Sequence, residues 1–291
     1  MAQINQRLPE NVAGEFYVDA SCIDCDACRQ IAPASFQDHG GKSSVYRQPQ
    51  NPGEQHRAFM ALVSCPTASI GTISNRSARS EVAAFPVHVV DDVYFCGFTS
   101  EASFGAWAYL IVRPQERGGN VLVDSPRFNA PLVKRIEEMG GVKLMFLSHR
   151  DDIADHAKFA AHFHCPRIMH EGDDATARGI ERVVTGTDSQ RIDDDLLLIP
   201  TPGHTRGHQV LLYLDKVLFT GDHLAWSPKH KTLTAFRDVC WYSWTEQTRS
   251  MEKLLTYRFE WVLPGHGRIH NGPAQEMHEH LEGCIARMKR E

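Results

Sequence analysis

Four cysteines in the first quarter of the chain have a spacing that suits an iron–sulfur cluster. Cys22, Cys25 and Cys28 form a C-x2-C-x2-C pattern, and Cys65 stands further along, directly before a proline. Three thiolates at such short gaps can surround one face of a [4Fe–4S] cubane while a distant cysteine supplies the fourth ligand. Zinc is the competing interpretation, but structural zinc sites more often pair two separated C-x2-C elements or add histidines.

Residues 15–70 resemble a bacterial-type ferredoxin, in which the cysteine triplet is followed by x3-C-P. That next position is Ala32 here, ahead of Pro33. In the family the cysteine at this position serves a second cluster, so the resemblance implies one [4Fe–4S] cluster held by Cys22, Cys25, Cys28 and Cys65. The other cysteines are interpreted as small core residues.

Histidines and aspartates gather beside glycines at the ends of four predicted strands in the rest of the chain. The four segments are 148–156, 201–208, 220–223 and 264–267. Glycine lets the backbone turn sharply, so imidazoles and carboxylates from different strands can point to one centre. Because neutral imidazole and carboxylate suit zinc, iron or manganese, we expect a metal-lined pocket.

Residues 85–270 resemble the metallo-β-lactamase superfamily, whose fold is an αββα sandwich with a metal site at the edge of its two sheets. The motifs that carry the resemblance are T-P-G-H-T-x-G at 201–207, a strand followed by Gly-Asp at 219–222, P-G-H-G at 264–267 and a strand ending in aspartate at 120–124. The resemblance implies that His204 binds a first metal and His266 a second. Asp222 would bridge both.

The first loop of this pattern departs from the superfamily. The usual sequence is H-x-H-x-D-H, whereas residues 149–156 read H-x-D-D-x-x-D-H. Two more residues separate the outer histidines, and the middle histidine is missing. Asp155 and His156 still match the D-H end, so the resemblance implies a complete second metal site. Its expected ligands are Asp155, His156, Asp222 and His266.

The first metal site has a gap in its expected ligand set. His149 and His204 need a third partner, for which Asp151 and Asp152 are the candidates. A carboxylate is a harder ligand than imidazole and shifts the preference toward iron or manganese. The alternative is a weak first site and one tightly bound metal. Zinc is the first expectation, and one or two divalent ions are both open.

Other polar residues near the motifs receive structural interpretations. His208 and His223 are expected to hydrogen-bond behind the ligands. Asp173 and Asp174 are interpreted as turn or solvated acids.

The leading functional hypothesis is a metal-dependent hydrolase of an ester, thioester or related small molecule. The ions would lower the pKa of bound water, and the resulting hydroxide would attack the substrate. Asp222 is the expected shared ligand, and Asp155 is a candidate proton acceptor. The sequence has no G-x-S-x-G element, so covalent serine catalysis is not supported.

Two other functions remain open. The first is a di-iron redox enzyme that reduces oxygen or nitric oxide, as superfamily members with a carboxylate in the middle loop position do. Asp151 or Asp152 would then be that carboxylate, and the cluster would deliver electrons from a redox partner protein. The second is a non-catalytic electron carrier or redox sensor. In every case a purely structural cluster is an alternative.

The elements that must position these residues fall into two predicted domains. Residues 73–80 are short-chained, polar and basic, as in a linker, so the domains are 1–80 and 81–291. The first domain, with a helix at 54–63, is ferredoxin-like. Its fold would be only marginally stable without an added cross-link such as a bound cluster. The second alternates strands with helices at 131–139, 152–164, 244–258 and 274–288. The predicted fold class is α/β, with a ferredoxin-like domain before a metallo-β-lactamase αββα sandwich.

Composition limits the partners and the compartment. The 291 residues include 36 acids and 31 bases, for a net charge of −5, so nucleic acid is not an expected partner. No apolar run approaches the length of a membrane span, and the first 14 residues lack the apolar core of a signal peptide. We expect a cytoplasmic protein, in which eight cysteines and sixteen histidines indicate metal binding rather than disulfides.

Overall fold

The computed structural model describes residues 2–74 and 76–291, and the chain divides into two compact units. The first unit is Met1–Leu110 with Pro126–Gly141, and the second is Ile111–Ser125 with Val142–Glu291. The predicted domain boundary near residue 80 lies inside the first unit, and it stays a prediction. Asn75, within the predicted linker, lies outside the described residues.

Short antiparallel strand pairs and helices build the first unit. Its strands are Phe16–Val18 (β1), Phe36–Asp38 (β2), Ser43–Val45 (β3), Ile70–Thr72 (β4), Val87–Val90 (β5) and Val93–Phe95 (β6). Its α-helices are Ala27–Ile31 (α1), Pro52–Ser64 (α2), Arg79–Ala83 (α3) and Ala130–Glu138 (α4). Strand β1 pairs with β4, β2 with β3, and β5 with β6. Strand Tyr109–Ile111 (β7) spans the point where the chain passes into the second unit.

Helix α2 places one of the predicted cluster ligands. Its N-cap is Asn51, whose side chain accepts a hydrogen bond from the Glu54 backbone N–H at 2.9 Å, and a proline occupies its first turn. Its C-cap is Cys65, where the backbone leaves the helical conformation ahead of Pro66. The cysteine therefore stands at the point where the helix stops, and the helix predicted at 54–63 is confirmed.

The described part of the second unit contains strands of two larger sheets and one separate strand pair. Its strands are Val121–Val123 (β8), Leu144–Phe146 (β9), Arg167–His170 (β10), Arg182–Val184 (β11), Gln190–Arg191 (β12), Leu196–Pro200 (β13), Gln209–Tyr213 (β14), Val217–Gly221 (β15), Ala225–Ser227 (β16), Thr232–Thr234 (β17), Trp261–Pro264 (β18) and His270–Asn271 (β19). Strands β8 to β11 lie in parallel order. The second sheet has the order β12-β13-β14-β15-β18-β19, and β16 pairs with β17.

Helices cover one face of the second sheet. The α-helices of this unit are His156–Phe163 (α5), Trp244–Leu254 (α6) and Ala274–Met288 (α7). Leu212 and Leu218 of the sheet share a buried apolar cluster with Met251 of α6 and Leu281 of α7. All five residues of β14 and of β15 are buried, which means that both faces of the sheet are covered. The predicted α/β fold class is confirmed.

The helix predicted at 152–164 begins later than expected, at His156. Residues 152–155 form a bend and a turn instead, and Asp152 is buried, with 1% of the residue exposed. The sequence pattern also missed β2 and β3, which are three-residue strands in a Gly- and Gln-rich segment. Within residues 2–74 and 76–291, no helix combines the length and the apolar character that crossing a bilayer requires. The cytoplasmic location stays a prediction.

Candidate metal centre and cluster site

Loops that follow four strands of the second unit bring three histidines and three aspartates together. The loops follow β9, β13, β15 and β18. The residues are His149, Asp151, Asp152, His204, Asp222 and His266. We call this set the six-residue cluster. It contains all but two of the residues that the sequence predicted as metal ligands.

In the first half of the six-residue cluster, His149, His204 and Asp222 form one metal-ligand group, and Asp151 approaches both of its histidines. The Nε2 atoms of His149 and His204 lie 3.6 and 3.7 Å from Asp222 Oδ2. Asp151 Oδ2 lies 3.5 Å from His204 Nε2 and 4.0 Å from His149 Nε2. Donors about 2.1 Å from a tetrahedral ion are about 3.4 Å apart, so these separations are close to those of a metal site.

The second half shares Asp222 with the first. His266 Nε2 lies 3.9 Å from Asp222 Oδ2 and 3.9 Å from Asp152 Oδ1. The side chain of His266 is 24% exposed, whereas those of Asp152 and Asp222 are 2% and 10% exposed. The histidine therefore marks the side on which this half meets solvent.

Buried atoms of the six-residue cluster fit metal ions better than they fit hydrogen bonding. Within the described chain, His149 Nε2, His204 Nε2 and Asp152 Oδ2 are buried without a hydrogen-bond partner, which is costly unless a cation satisfies them. Burial lowers the pKa of His149 to about 4 and raises the pKa of Asp152 well above its ordinary value. Burial also opposes ionisation of Asp222, but His266 and the other histidines hold its pKa below the ordinary value. The donor set therefore fits two divalent ions that share Asp222.

Two glycines let the backbone approach these ligands. A Cβ atom on Gly265 would lie 2.5 Å from Asp152 Oδ2 and 3.0 Å from Asp222 Oδ1. Gly221 has a φ of +48°, and a Cβ there would lie 2.7 Å from His208 Nε2. These close approaches explain why glycine precedes Asp222 and His266 in the two motifs.

Asp173 holds two of the metal-binding loops together. Its Oδ2 accepts hydrogen bonds from the Arg150 backbone N–H at 2.9 Å and the Thr205 hydroxyl at 2.7 Å. Its Oδ1 accepts one from the Gly207 N–H at 2.9 Å. The interpretation of Asp173 as a solvated acid is wrong, since its exposure is 0%, although it does lie in a short 3-10 turn, Glu171–Asp173. Its partners lie in distant loops, so no local spacing could have identified it.

Among the described residues, neither metal-ligand group that contains Asp222 includes Asp155 or His156. Asp155 caps the start of α5, and its Oδ1 lies 2.7 Å from Lys158 Nζ. His156 Nδ1 lies 3.2 Å from a guanidinium nitrogen of Arg167. The late start of α5 explains this placement, because it turns both side chains toward their own helix and its neighbours. The position beside His266 is taken by Asp152.

His208 and His223 lie behind the metal-binding histidines. Both side chains are fully buried, and their rings stack with centroids 3.9 Å apart. His208 Nδ1 lies 3.0 Å from Thr201 Oγ1, and its ring is 5.2 Å from that of His149. Burial lowers the pKa of both histidines well below the ordinary value, so they are neutral packing partners of the ligands.

The cysteines predicted to bind the cluster line one cavity in the first unit. They are Cys22, Cys25, Cys28 and Cys65. The backbone N–H of Ser43 donates to Cys22 Sγ at 3.4 Å, and that of Ser69 donates to Cys65 Sγ at 3.3 Å. Burial raises the pKa of Cys25 to about 12, so its thiol loses a proton only when a metal binds it. Four sulfurs with N–H donors around them fit a single [4Fe–4S] cluster.

A loop beyond the predicted linker packs against this cavity within the same unit. Gly105 has a φ of +85°, and a Cβ there would lie 2.6 Å from Cys25 Cβ and 2.8 Å from Cys25 Sγ. The hydroxyl of Thr99 donates to the Ser64 carbonyl at 2.6 Å, one residue before Cys65. Residues 99–105 therefore contribute to the cluster environment although they lie outside residues 1–80.

Comparison with known proteins separates the two parts of the chain. Residues 18–72 match the family described as the 4Fe-4S single cluster domain of Ferredoxin I. A hydroxyacylglutathione hydrolase of Mesorhizobium japonicum is 28% identical over 120 residues, which is 40% of this chain and 47% of that relative. The chain thus spans about half the length of this curated relative.

Solved structures that are similar to the chain include metallo-β-lactamase superfamily proteins. ETHE1 from Myxococcus xanthus has a TM-score of 0.47 at 20% identity, covering 67% of this chain and 89% of its own. A metallo-β-lactamase superfamily protein from Sulfolobus tokodaii has a TM-score of 0.44 at 16% identity, covering 69% and 96%. The chain carries a 4Fe-4S single-cluster ferredoxin domain at residues 18–72, followed by an α/β region in which the motifs that resemble the metallo-β-lactamase superfamily converge on one cluster of metal ligands.

Proposed function

We propose that the second unit is a binuclear metal-dependent hydrolase of a small-molecule ester or thioester. The observation that carries the proposal is the position of Asp222. Its Oδ2 lies 3.6, 3.7 and 3.9 Å from the Nε2 atoms of His149, His204 and His266. One buried carboxylate oxygen within reach of three imidazoles is the arrangement expected of a ligand shared by two ions.

The ligand set that we propose differs from the sequence expectation at the second ion, where Asp152 replaces Asp155 and His156. His149, Asp151 and His204 would hold the first ion, and Asp152 and His266 the second, with Asp222 shared. Imidazoles suit zinc, and three carboxylates increase the affinity for iron or manganese. Bound divalent ions would supply Lewis acidity and a water of lowered pKa.

The chain's own residues would orient the substrate and the ligands. Trp241 and Tyr242 are 60% and 50% exposed, and their backbone N–H groups donate to the His204 carbonyl at 2.9 and 3.1 Å. The Trp241 ring lies beside His204, with ring centroids 6.3 Å apart, and offers an apolar surface to a substrate. The similarity to a hydroxyacylglutathione hydrolase supports a thioester as the substrate class.

The test is metal content and hydrolysis measured on the same anaerobically purified full chain. We expect about two divalent ions beyond the iron of the cluster, together with hydrolysis of a 2-hydroxyacyl glutathione thioester or of p-nitrophenyl acetate. Asp222→Asn should lose metal and lower kcat/KM about 100-fold or more, since it removes a ligand that both ions use. Glu282→Gln, on the exposed side of α7, is the control. A protein with Asp222→Asn that keeps its metal and its turnover would contradict the assignment.

A di-iron redox enzyme is the second candidate, and Asp151 is the observation that favours it. Asp151 Oδ2 lies 3.5 Å from His204 Nε2, in the place where the superfamily pattern has a histidine. The ferredoxin domain would then supply electrons. Element analysis separates the candidates: about four irons per chain with zinc supports the hydrolase, and about six irons with oxygen uptake from the reduced cluster supports the redox enzyme.

A further inference from the structure

A second group of metal-ligating side chains lies outside the six-residue cluster, on β19 and α7. His270 belongs to β19, and Glu276 and His280 belong to the first half of α7. One donor atom of each residue lies within 4.8 Å of the others. This group takes no part in the proposed hydrolysis, and its function is a separate question.

The geometry of the two helical residues is that of adjacent ligands. Glu276 and His280 are four residues apart, so they project from the same face of α7. Glu276 Oε1 lies 3.5 Å from His280 Nε2. Two donors on a tetrahedral zinc ion are about 3.4 Å apart, so this pair needs little movement to bind one ion.

Both histidine rings are held in place by packing, while their Nε2 atoms make no hydrogen bond within the described residues. The Trp226 ring stacks on His270 with centroids 3.5 Å apart and meets His280 edge-on at 5.0 Å. Thr232 Oγ1 lies 3.2 Å from His280 Nδ1. When His280 Nδ1–H donates to that oxygen, Nε2 keeps the lone pair that a metal requires. In the described chain, both Nε2 atoms are buried and make no hydrogen bond.

A simple surface ion pair does not account for these observations. The same helix carries such a pair, in which His278 Nδ1 lies 3.8 Å from Glu282 Oε1 and no second histidine joins them. Exposed pairs of this kind contribute little stability. Glu276 differs because it faces two imidazoles that packing has oriented, while its 54% exposure leaves room for a water as fourth ligand.

We propose that His270, Glu276 and His280 form a separate divalent transition-metal site, with zinc as the preferred ion. Two imidazoles and one carboxylate complete a tetrahedral zinc site when water is added. The ion would join β19 to α7, and it would stabilise the folded protein because the unfolded chain does not hold these ligands together. This proposal does not depend on the proposed function.

The test is zinc and cobalt titration of the full-length holoprotein. The iron–sulfur cluster is assembled beforehand, and the six-residue cluster is filled with its divalent ions. The wild type should bind one more ion than His270→Gln/His280→Gln, whose affinity at this site should fall at least about 100-fold. Cobalt should produce the visible absorption of a tetrahedral ion in the wild type but not in the double variant. Zinc should raise the Tm of the wild type more than that of the double variant. His278→Gln is the matched control and should behave as the wild type.

A milder variant keeps the test decisive if the double variant unfolds. Glu276→Gln changes an exposed side chain and should weaken zinc binding about tenfold while the circular dichroism spectrum stays unchanged. The proposal would be overturned if Glu276→Gln bound zinc with the same stoichiometry and affinity as the wild type. It would also be overturned if the double variant did so. Ester hydrolysis should be unaffected by all of these variants, so failure here is distinguishable from failure of the proposed function.

Discussion

Asp152 Oδ1 lies 3.9 Å from His266 Nε2, although the two residues follow different strands, β9 and β18. Asp151, directly before Asp152 in the chain, faces His204 instead, with 3.5 Å between Oδ2 and Nε2. Adjacent aspartates therefore point to different halves of the six-residue cluster. In the ligand set that we propose, each carboxylate of the H-x-D-D sequence would therefore serve a different ion.

Asp152→Asn should remove the second ion while the first remains. The amide has the shape of the carboxylate but not its charge, so His266 and Asp222 lose the anionic partner that a divalent ion needs. We expect about one ion fewer per chain and a fall in kcat/KM of about 100-fold. Element analysis and kinetics on the same sample measure both.

Asp155→Asn is the comparison that decides between the two ligand assignments. Asp155 matches the D-H end of the superfamily pattern, but its carboxylate lies 2.7 Å from Lys158 Nζ on α5. The variant should keep its metal content, and its kcat/KM should stay within about threefold of the wild type. If Asp155→Asn lost an ion and Asp152→Asn did not, the sequence-based assignment would be correct and ours would fail.

The loops that would hold the metal ligands are easier to predict from the sequence than the individual ligand within a loop. The motifs around His204, Asp222 and His266 each follow a strand directly, and the ends of strands can be predicted from apolar runs. Asp152 was harder to place because the apolar residues at 153 and 159 extend the helical pattern backwards over it. The helix starts only at His156, so Asp152 lies in the loop before the helix.

Asp173→Asn should weaken metal binding without direct contact with an ion. The carboxylate accepts hydrogen bonds from the Arg150 N–H, the Thr205 hydroxyl and the Gly207 N–H. Asparagine keeps only one of the two accepting oxygens, so at least one backbone N–H loses its acceptor. Loss of such an outer partner typically costs about 10–100-fold in metal affinity. Chelator competition measures the affinity, and thermal unfolding reports the loss of stability.

Asp174→Asn is the matched control for that experiment. Asp174 is exposed and has a φ of +60°, a conformation that asparagine tolerates. It should leave both metal affinity and Tm unchanged. Equal effects of the two substitutions would mean that Asp173 acts only through local charge. The sequence could not separate these neighbours, because the groups that bury Asp173 come from loops that only the tertiary fold brings near.

Gly105→Ala should impair assembly of the iron–sulfur cluster. A methyl group at this position would lie 2.8 Å from Cys25 Sγ, and the φ of +85° disfavours any side chain. We expect less than half of the wild-type iron and sulfide per chain, with a matching loss of visible absorption. Gly40→Ala shares the left-handed backbone, with a φ of +64°, but has open space around it, so it should retain the cluster.

Gly265→Ala should reduce activity by moving two metal ligands at once. The added methyl group would lie 2.5 Å from Asp152 Oδ2 and 3.0 Å from Asp222 Oδ1, so both carboxylates must shift. A displacement of about 1 Å at a reacting centre can cost about 100-fold in rate. Gly283→Ala, in the interior of α7 with only ordinary contacts, should stabilise the protein by about 0.5–1 kcal/mol and leave kcat/KM unchanged. Full activity in Gly265→Ala would show that these carboxylates are not ligands, because their positions could not have been kept.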